Sequence, residues 1–260
     1  MLDKTQQGAT GLSLNGLSPS GLSLNGLSTN GLSLNGLSLN GFATESFSTW
    51  FNAHPAEHSD MVMRYVVSCA VPAGESRKWT NPTTLDTYTW PGQLGLTPDW
   101  AAGQPATEVE QQVITACLAA LVNKYGVHVP LYLLGETAQG VQLPVQEEEL
   151  ETFSEEEGAF FGNLFQGDGA FACQSPTFVS PPHEKMLRAC ALLHPGQEAE
   201  CAPLQVVGHC NGELKCERDT SQTYLRTCHY QGKTYRTLTT RLRSQDIRPI
   251  CEGSSRQQAQ

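Results

Sequence analysis

Seven of the nine cysteines in this chain of 260 residues fall between Cys173 and Cys251, and no other feature constrains the fold as much. Such density calls for either disulfides or a metal. Zinc sites favour close ligand pairs such as C-x2-C, because one tight turn brings two ligands together at little cost in chain entropy. The gaps here are 17, 11, 9, 6, 12 and 23 positions, and no such pair occurs. That spacing suits loops closed by bridges. Cys69, Cys117, Cys173, Cys190, Cys201, Cys210, Cys216 and Cys228 are therefore the disulfide candidates, and Cys251 near the tail is expected to be the odd one left over. One pairing can be named. Cys69 and Cys117 sit on two expected helices whose apolar faces should pack together, so they should bridge. The other connections stay open, since eight cysteines allow roughly a hundred pairings.

Disulfides persist in oxidising compartments, which places the expected location outside the cytoplasm: periplasm, outer-membrane surface or secreted. The first residues, Met-Leu-Asp-Lys-Thr-Gln-Gln, carry neither the basic nor the apolar region of an export signal. A removed signal, a misplaced start or mostly free cysteines would each account for this, and the cysteine density favours the first two. No run approaches the roughly 18 apolar residues of a membrane span, so no transmembrane segment is expected. With 39% hydrophobic and 16% charged residues the chain is globular in character. Its net charge of −10 is uneven. The stretch from Asn211 to the end has nine Lys/Arg against five Asp/Glu, which makes the preceding body strongly acidic. A phosphate backbone needs a basic footprint, so nucleic acid is excluded as a partner. Arg236, Arg241, Arg243 and Arg248 read as a solvated strand face.

From Gly11 to Phe42 the chain repeats every five residues as Gly-Leu-Ser-Leu-Asn, with Phe42 where the last Leu would stand. A period of five matches neither the helix nor the flat strand. It does fit a coil whose sides are five residues long. The pattern resembles the pentapeptide-repeat proteins, and that resemblance implies a short right-handed β-solenoid with Leu or Phe stacked inward. Those coils want a small residue where this chain puts Leu12 or Asn15. Two states stay open, a flexible or loosely coiled arm and a short solenoid. The expected organisation is a tail over 1–10, the repeat arm over 11–42 and one α+β body over 43–260. Within that body, a helical part to about 195 precedes a cysteine-rich β part over about 196–252.

Helices are expected over 59–70, opened by Ser59-Asp60, and over 107–125, capped by Thr107 with Glu110 three residues on. Two more are expected over 147–165 and 184–193. Residues 75–105, rich in proline, read as loops, and 127–134 as a strand. Segments 224–230 and 234–242 flank Gln231-Gly232, a two-residue hairpin turn. Helices first and strands later give an α+β class.

Chemistry-bearing patterns are few. His54-Pro-Ala-Glu57-His58 spells the H-x-x-E-H zinc signature, with His54 and His58 as metal ligands and Glu57 as base on the bound water. Pro55 limits that segment to a first helical turn, so the two imidazoles are expected in a turn and not on one helix face. Glu147 to Glu149, Glu151 and Glu155 to Glu157 lack the bending glycine and spacing of a calcium loop and suit a helix start. Cys228-His229 and His209-Cys210 are neighbours whose side chains diverge in a strand. Trp79, Tyr88, Trp90 and Trp100 crowd the proline-rich stretch. They are either a binding surface for an envelope protein or glycan, or satellite core beneath a long loop.

The repeat arm, together with residues 61–70 (Met-Val-Met-Arg-Tyr-Val-Val-Ser-Cys-Ala), Leu94-Gly95-Leu96 ahead of Asp99-Trp100, residues 117–123 and residues 158–165, resembles a group of uncharacterised secreted or lipoprotein-like proteins of myxobacteria. The resemblance spans most of the chain and implies an exported protein, with no activity attached. The resulting expectation is a non-enzymatic cell-envelope or secreted protein without cofactor, whose arm tethers a disulfide-bonded body. Two alternatives are a secreted hydrolase, zinc-dependent through His54, Glu57 and His58, and a zinc-binding module.

Overall fold

Thr107 opens the central helix α5 (Glu108–Ala120) with a reciprocal cap. Its hydroxyl accepts from the Glu110 N–H at 3.3 Å, while the Glu110 carboxylate accepts from the Thr107 N–H at 2.9 Å. The same carboxylate also takes the Trp100 N–H at 2.9 Å, which is why a glutamate only 1% exposed is tolerated. The computed structural model describes residues 37, 39–122, 129–178, 204–212 and 214–247. Most of the repeat, the helix expected over 184–193, and Cys190, Cys201 and Cys251 lie outside the described residues.

Before α5 come the short α1 (Leu39–Phe42), α2 (Glu45–Asn52), α3 (Ala56–Ala70), the hairpin β1 (Ser76–Thr80) and β2 (Thr87–Pro91), and α4 (Pro98–Ala101). One of these has no counterpart in the sequence reading, and two correct it. Helix α2 is capped by Thr44, which accepts from the Phe47 N–H, and it buries Phe47, Trp50 and Phe51. Helix α3 begins at Ala56 and not at Ser59, because Pro55 already supplies the cap position. Ser59 lies inside the helix and donates its hydroxyl to the Phe51 carbonyl at 2.8 Å, tying α2 to α3. The stretch read as loops contains an antiparallel hairpin, with Arg77 opposite Trp90 and Trp79 opposite Tyr88.

The second half follows as β3 (Tyr132–Gly135), α6 (Glu147–Thr152), β4 (Glu155–Asn163), β5 (Gly169–Gln174), β6 (Leu204–His209), β7 (Lys215–Arg218), β8 (Leu225–Tyr230), β9 (Lys233–Arg236) and β10 (Leu238–Leu242). The helix expected over 147–165 stops at Thr152, and residues 155–163 form the middle strand of a five-stranded sheet ordered β3-β10-β4-β5-β6. A strand buried on both faces is a continuous apolar run, which hides its period of two. Alternation resolves it: Phe160 enters the main core, while Ala159 and Phe161 enter a second one. Glycine is required in this strand. A Cβ on Gly162, at φ +128°, would lie 2.3 Å from the Gly169 carbonyl oxygen.

The turn at Gln231-Gly232 is present, with φ of +50° and +80°, and joins β8 to β9. Its second arm divides at Thr237. Strand β10 leaves for the large sheet and inserts between β3 and β4, while β7-β8-β9 form a separate three-stranded sheet. The result is three layers. Helix α5 covers one face of the large sheet, with α3 packed against α5 and β2, and the small sheet covers the other face through Leu225, Cys228 and Tyr235. Strands β1 to β5 precede residue 195, so helix and sheet interleave along the body. The fold is α+β. Cys69 on α3 and Cys117 on α5 form the expected bridge, with Cα atoms 6.2 Å apart. Among the described residues no helix is long and apolar enough to cross a membrane.

Candidate functional site

The β1–β2 hairpin sorts its residues by alternation. Arg77, Trp79, Tyr88 and Trp90 face inward, whereas Ser76, Lys78, Thr80, Thr87 and Thr89 are exposed. Trp79, Tyr88 and Trp90 form a stacked column, with ring centroids 5.9 and 6.0 Å apart, and Phe42, Phe47 and Phe51 close around it. Trp90 and Trp100 are completely buried, so they are core and not a binding surface. The Trp90 indole N–H donates to Asp60 at 2.7 Å, and Trp100 packs its edge against Phe165. Trp79 and the half-buried Tyr88 lie nearer the surface. Burial, reinforced by the carboxylates of Asp86 and Asp60, pushes the Tyr88 phenol above its ordinary pKa.

Beside Trp79 runs a groove of about 480 Å³, lined by Phe42, Ala43, Ser48, Lys78, Trp79, Thr80 and Pro82. Phe42 and Trp79 touch it but are 1% and 6% exposed, so they bring little ring surface to its wall. Ser48, Thr80 and the exposed ammonium of Lys78 provide its hydrogen-bonding groups. The arrangement offers a small apolar contact with polar groups at its rim, which can take a small polar ligand. Among the described residues strand β1 pairs with β2 alone, and its Lys78, Trp79 and Thr80 line the groove.

The repeat runs directly into this region. Leu37 and Phe42 are buried. The Leu37 N–H donates to the Trp100 carbonyl at 2.9 Å, and Arg77 donates to the Leu37 carbonyl at 2.6 Å.

The H-x-x-E-H residues are not brought together as a metal site. His54 lies in the bend before α3, and Glu57 and His58 are exposed in its first turn. A histidine pair can share a metal when both stand on one helix face. Here Pro55 starts the helix after His54, and among the described residues no third ligand meets them.

Two further bridges join Cys173 to Cys210 and Cys216 to Cys228. They meet in the core between the two sheets, where Cys173 Sγ lies 3.7 Å from Cys216 Sγ. The sulfurs of Cys173, Cys216 and Cys228 all lie within 4.8 Å of one another. Spacing gave no sign of this convergence, because strand pairing and not a tight turn creates it.

The acidic run is also redistributed. Glu156 is buried on β4 and takes Arg218 in a bidentate pair at 2.5 and 3.1 Å, with Ser175 donating at 2.9 Å. Glu157 is completely buried and accepts from the Thr240 hydroxyl at 2.6 Å. A second knot centres on Glu136, which accepts from Arg236 at 2.5 Å, Arg226 at 2.9 Å and the Tyr224 hydroxyl at 3.0 Å. Burial, then the Glu136 hydrogen bond, push the Tyr224 phenol up to about 12. The arginines read as a solvated face thus include Arg236 and Arg241, which hold buried acids and strand ends. The one sequence signal was a charge inside an apolar strand.

No family model, curated protein or solved structure matches this chain.

Proposed function

We propose that the chain is a non-enzymatic extracytoplasmic protein, of the cell envelope or secreted, whose body binds a glycan in the groove beside Trp79 and whose repeat arm tethers that body. The observation that carries this reading is the set of bridges. Three disulfides among the described residues have their sulfurs in or against the core, a use of cysteine that belongs to oxidising compartments. The likeness to secreted myxobacterial proteins points the same way. For the ligand, the support is the groove itself, in which Lys78, Thr80 and Ser48 offer hydrogen-bonding groups beside the small exposed part of Trp79. Sugars present apolar C–H faces edged by hydroxyls, which complements such a groove.

The location is tested by intact mass with and without reductant on protein recovered from its native compartment. Bridged cysteines are expected, and eight or nine free thiols overturn the extracytoplasmic reading. The ligand is tested by calorimetric titration with soluble envelope oligosaccharides. Ala43→Trp, at an exposed position of the groove wall, should abolish saturable binding without lowering the melting temperature. Binding that survives in Ala43→Trp, or is absent from the native chain, refutes a glycan site in this groove.

A further inference from the structure

Three cysteine sulfurs, of Cys173, Cys216 and Cys228, gather where the two sheets face each other, and Cys210 joins them through its bridge to Cys173. Cys173 lies on β5, Cys210 directly follows β6, and Cys216 and Cys228 oppose each other across β7 and β8. Each bridge closes within one sheet, and neither crosses between them. What crosses is the contact of 3.7 Å between Cys173 Sγ and Cys216 Sγ. In a tetrahedral zinc site with Zn–S near 2.3 Å, the sulfurs stand about 3.8 Å apart. The inter-sheet contact already has that length. The other sulfurs are held at bonding distance by the disulfides, and they can part by side-chain rotation, with Cα separations of 5.0 and 4.0 Å.

We infer that in the reduced chain Cys173, Cys210, Cys216 and Cys228 form a tetrathiolate site for Zn²⁺. In these surroundings the thiolate form depends on the metal. Ala159, Phe161, Phe171, Leu214, Leu225 and Tyr235 enclose the cluster in apolar carbon. An isolated thiolate there would be costly, whereas a zinc ion stabilises the deprotonated form of its ligands. Cys173, Cys210 and Cys228 are at most 2% exposed, and the half-buried Cys216 gives an entry path. Disulfides and metal are then alternative closures of one junction, and of the two only the metal crosses from one sheet to the other. This inference is independent of the Trp79 groove.

The two forms interconvert by a balanced exchange. A phosphine reductant gives two electrons to each disulfide. One water per disulfide supplies the phosphine-oxide oxygen and the two thiol protons, and binding of Zn²⁺ then releases the four thiol protons.

The experiment uses the full chain, reduced anaerobically with a phosphine and loaded with Zn²⁺ or Co²⁺. The expected result is one equivalent bound, with the intense visible bands of tetrahedral cobalt thiolate, and none bound by the oxidised chain. Cys216→Ser, at the half-buried ligand, should weaken zinc at least about 10-fold, the scale of ligand-shell losses, and should alter the cobalt spectrum while far-ultraviolet circular dichroism stays native-like. A triple variant, Cys190→Ser with Cys201→Ser and Cys251→Ser, should bind as the native chain does. Failure of the reduced chain to bind, or loss of zinc in the triple variant with none in Cys216→Ser, overturns the assignment.

Discussion

Replacing Cys69 and Cys117 together by alanine should cost more stability than the same change at the shortest described bridge, Cys216–Cys228, and the loop lengths say by how much. The bridge spans 48 residues, against 37 for Cys173–Cys210 and 12 for Cys216–Cys228. Closing a loop of 48 residues removes about 4 kcal/mol of chain entropy from the unfolded ensemble, and one of 12 removes about 3 kcal/mol. Both sulfurs of the long bridge are fully buried, and each deletion adds roughly 1 kcal/mol of lost packing. The double variant should therefore lose about 6 kcal/mol, much of the stability of an ordinary domain. For a body of this size that is on the order of 15 °C in melting temperature. The matched Cys216→Ala, Cys228→Ala variant should lose about 5 kcal/mol, the same sulfur chemistry with a shorter loop. Guanidinium denaturation of the oxidised proteins at equal ionic strength measures both. A loss below about 2 kcal/mol for the long bridge, or a larger loss for the short one, would show that loop closure does not set the contribution.

Three other outcomes follow from particular contacts. Gly162→Ala should cost at least about 3 kcal/mol, because its Cβ meets a carbonyl at 2.3 Å. Gly232→Ala, at φ +80° with open space around it, should cost only about 1 kcal/mol, and the two are compared by urea denaturation. Tyr224 and Tyr235 have phenols pushed up to about 12 by burial first and then by Glu136 and Asp168 respectively. Since a raised folded pKa favours the neutral phenol, their contribution is intact below pH 10 and is lost as pH rises toward 12. Tyr224→Phe should flatten that alkaline fall, followed by unfolding midpoints against pH, and a fall unchanged in the variant would refute the assignment. Glu156→Gln strips the bidentate partner from Arg218 and should cost about 2 kcal/mol in the same denaturation assay.

What the sequence disclosed was local chemistry. The Thr107–Glu110 cap, the Gln231-Gly232 turn and the Cys69–Cys117 bridge each depend on a few residues whose geometry is set nearby or by one helix pair. Residues 155–163 failed for the opposite reason. Glu155 to Glu157 followed by Gly-Ala-Phe-Phe imitates an acidic helix start running into an apolar face, and only the strands on either side reveal the alternation of Phe160 against Ala159 and Phe161. The hairpin of residues 76–91 was hidden by its prolines, although Trp79 and Trp90 alternate with exposed polar residues throughout.

The candidate sites were less legible than the fold, because each is made by residues distant in the chain. The four sulfurs of Cys173, Cys210, Cys216 and Cys228 converge through one parallel strand pair, one antiparallel pair and the facing of two sheets. None of these leaves a spacing signature. The absence of C-x2-C excludes a zinc knuckle built on a tight turn, but it cannot exclude a site built on strand register. The groove has the same origin. Phe42 ends the five-residue repeat by replacing its leucine, and the larger ring reaches both Phe47, at 4.9 Å, and Trp90, at 5.8 Å, while also lining the groove beside Trp79. One substitution thus closes the repeat, completes an aromatic core and touches the proposed ligand site.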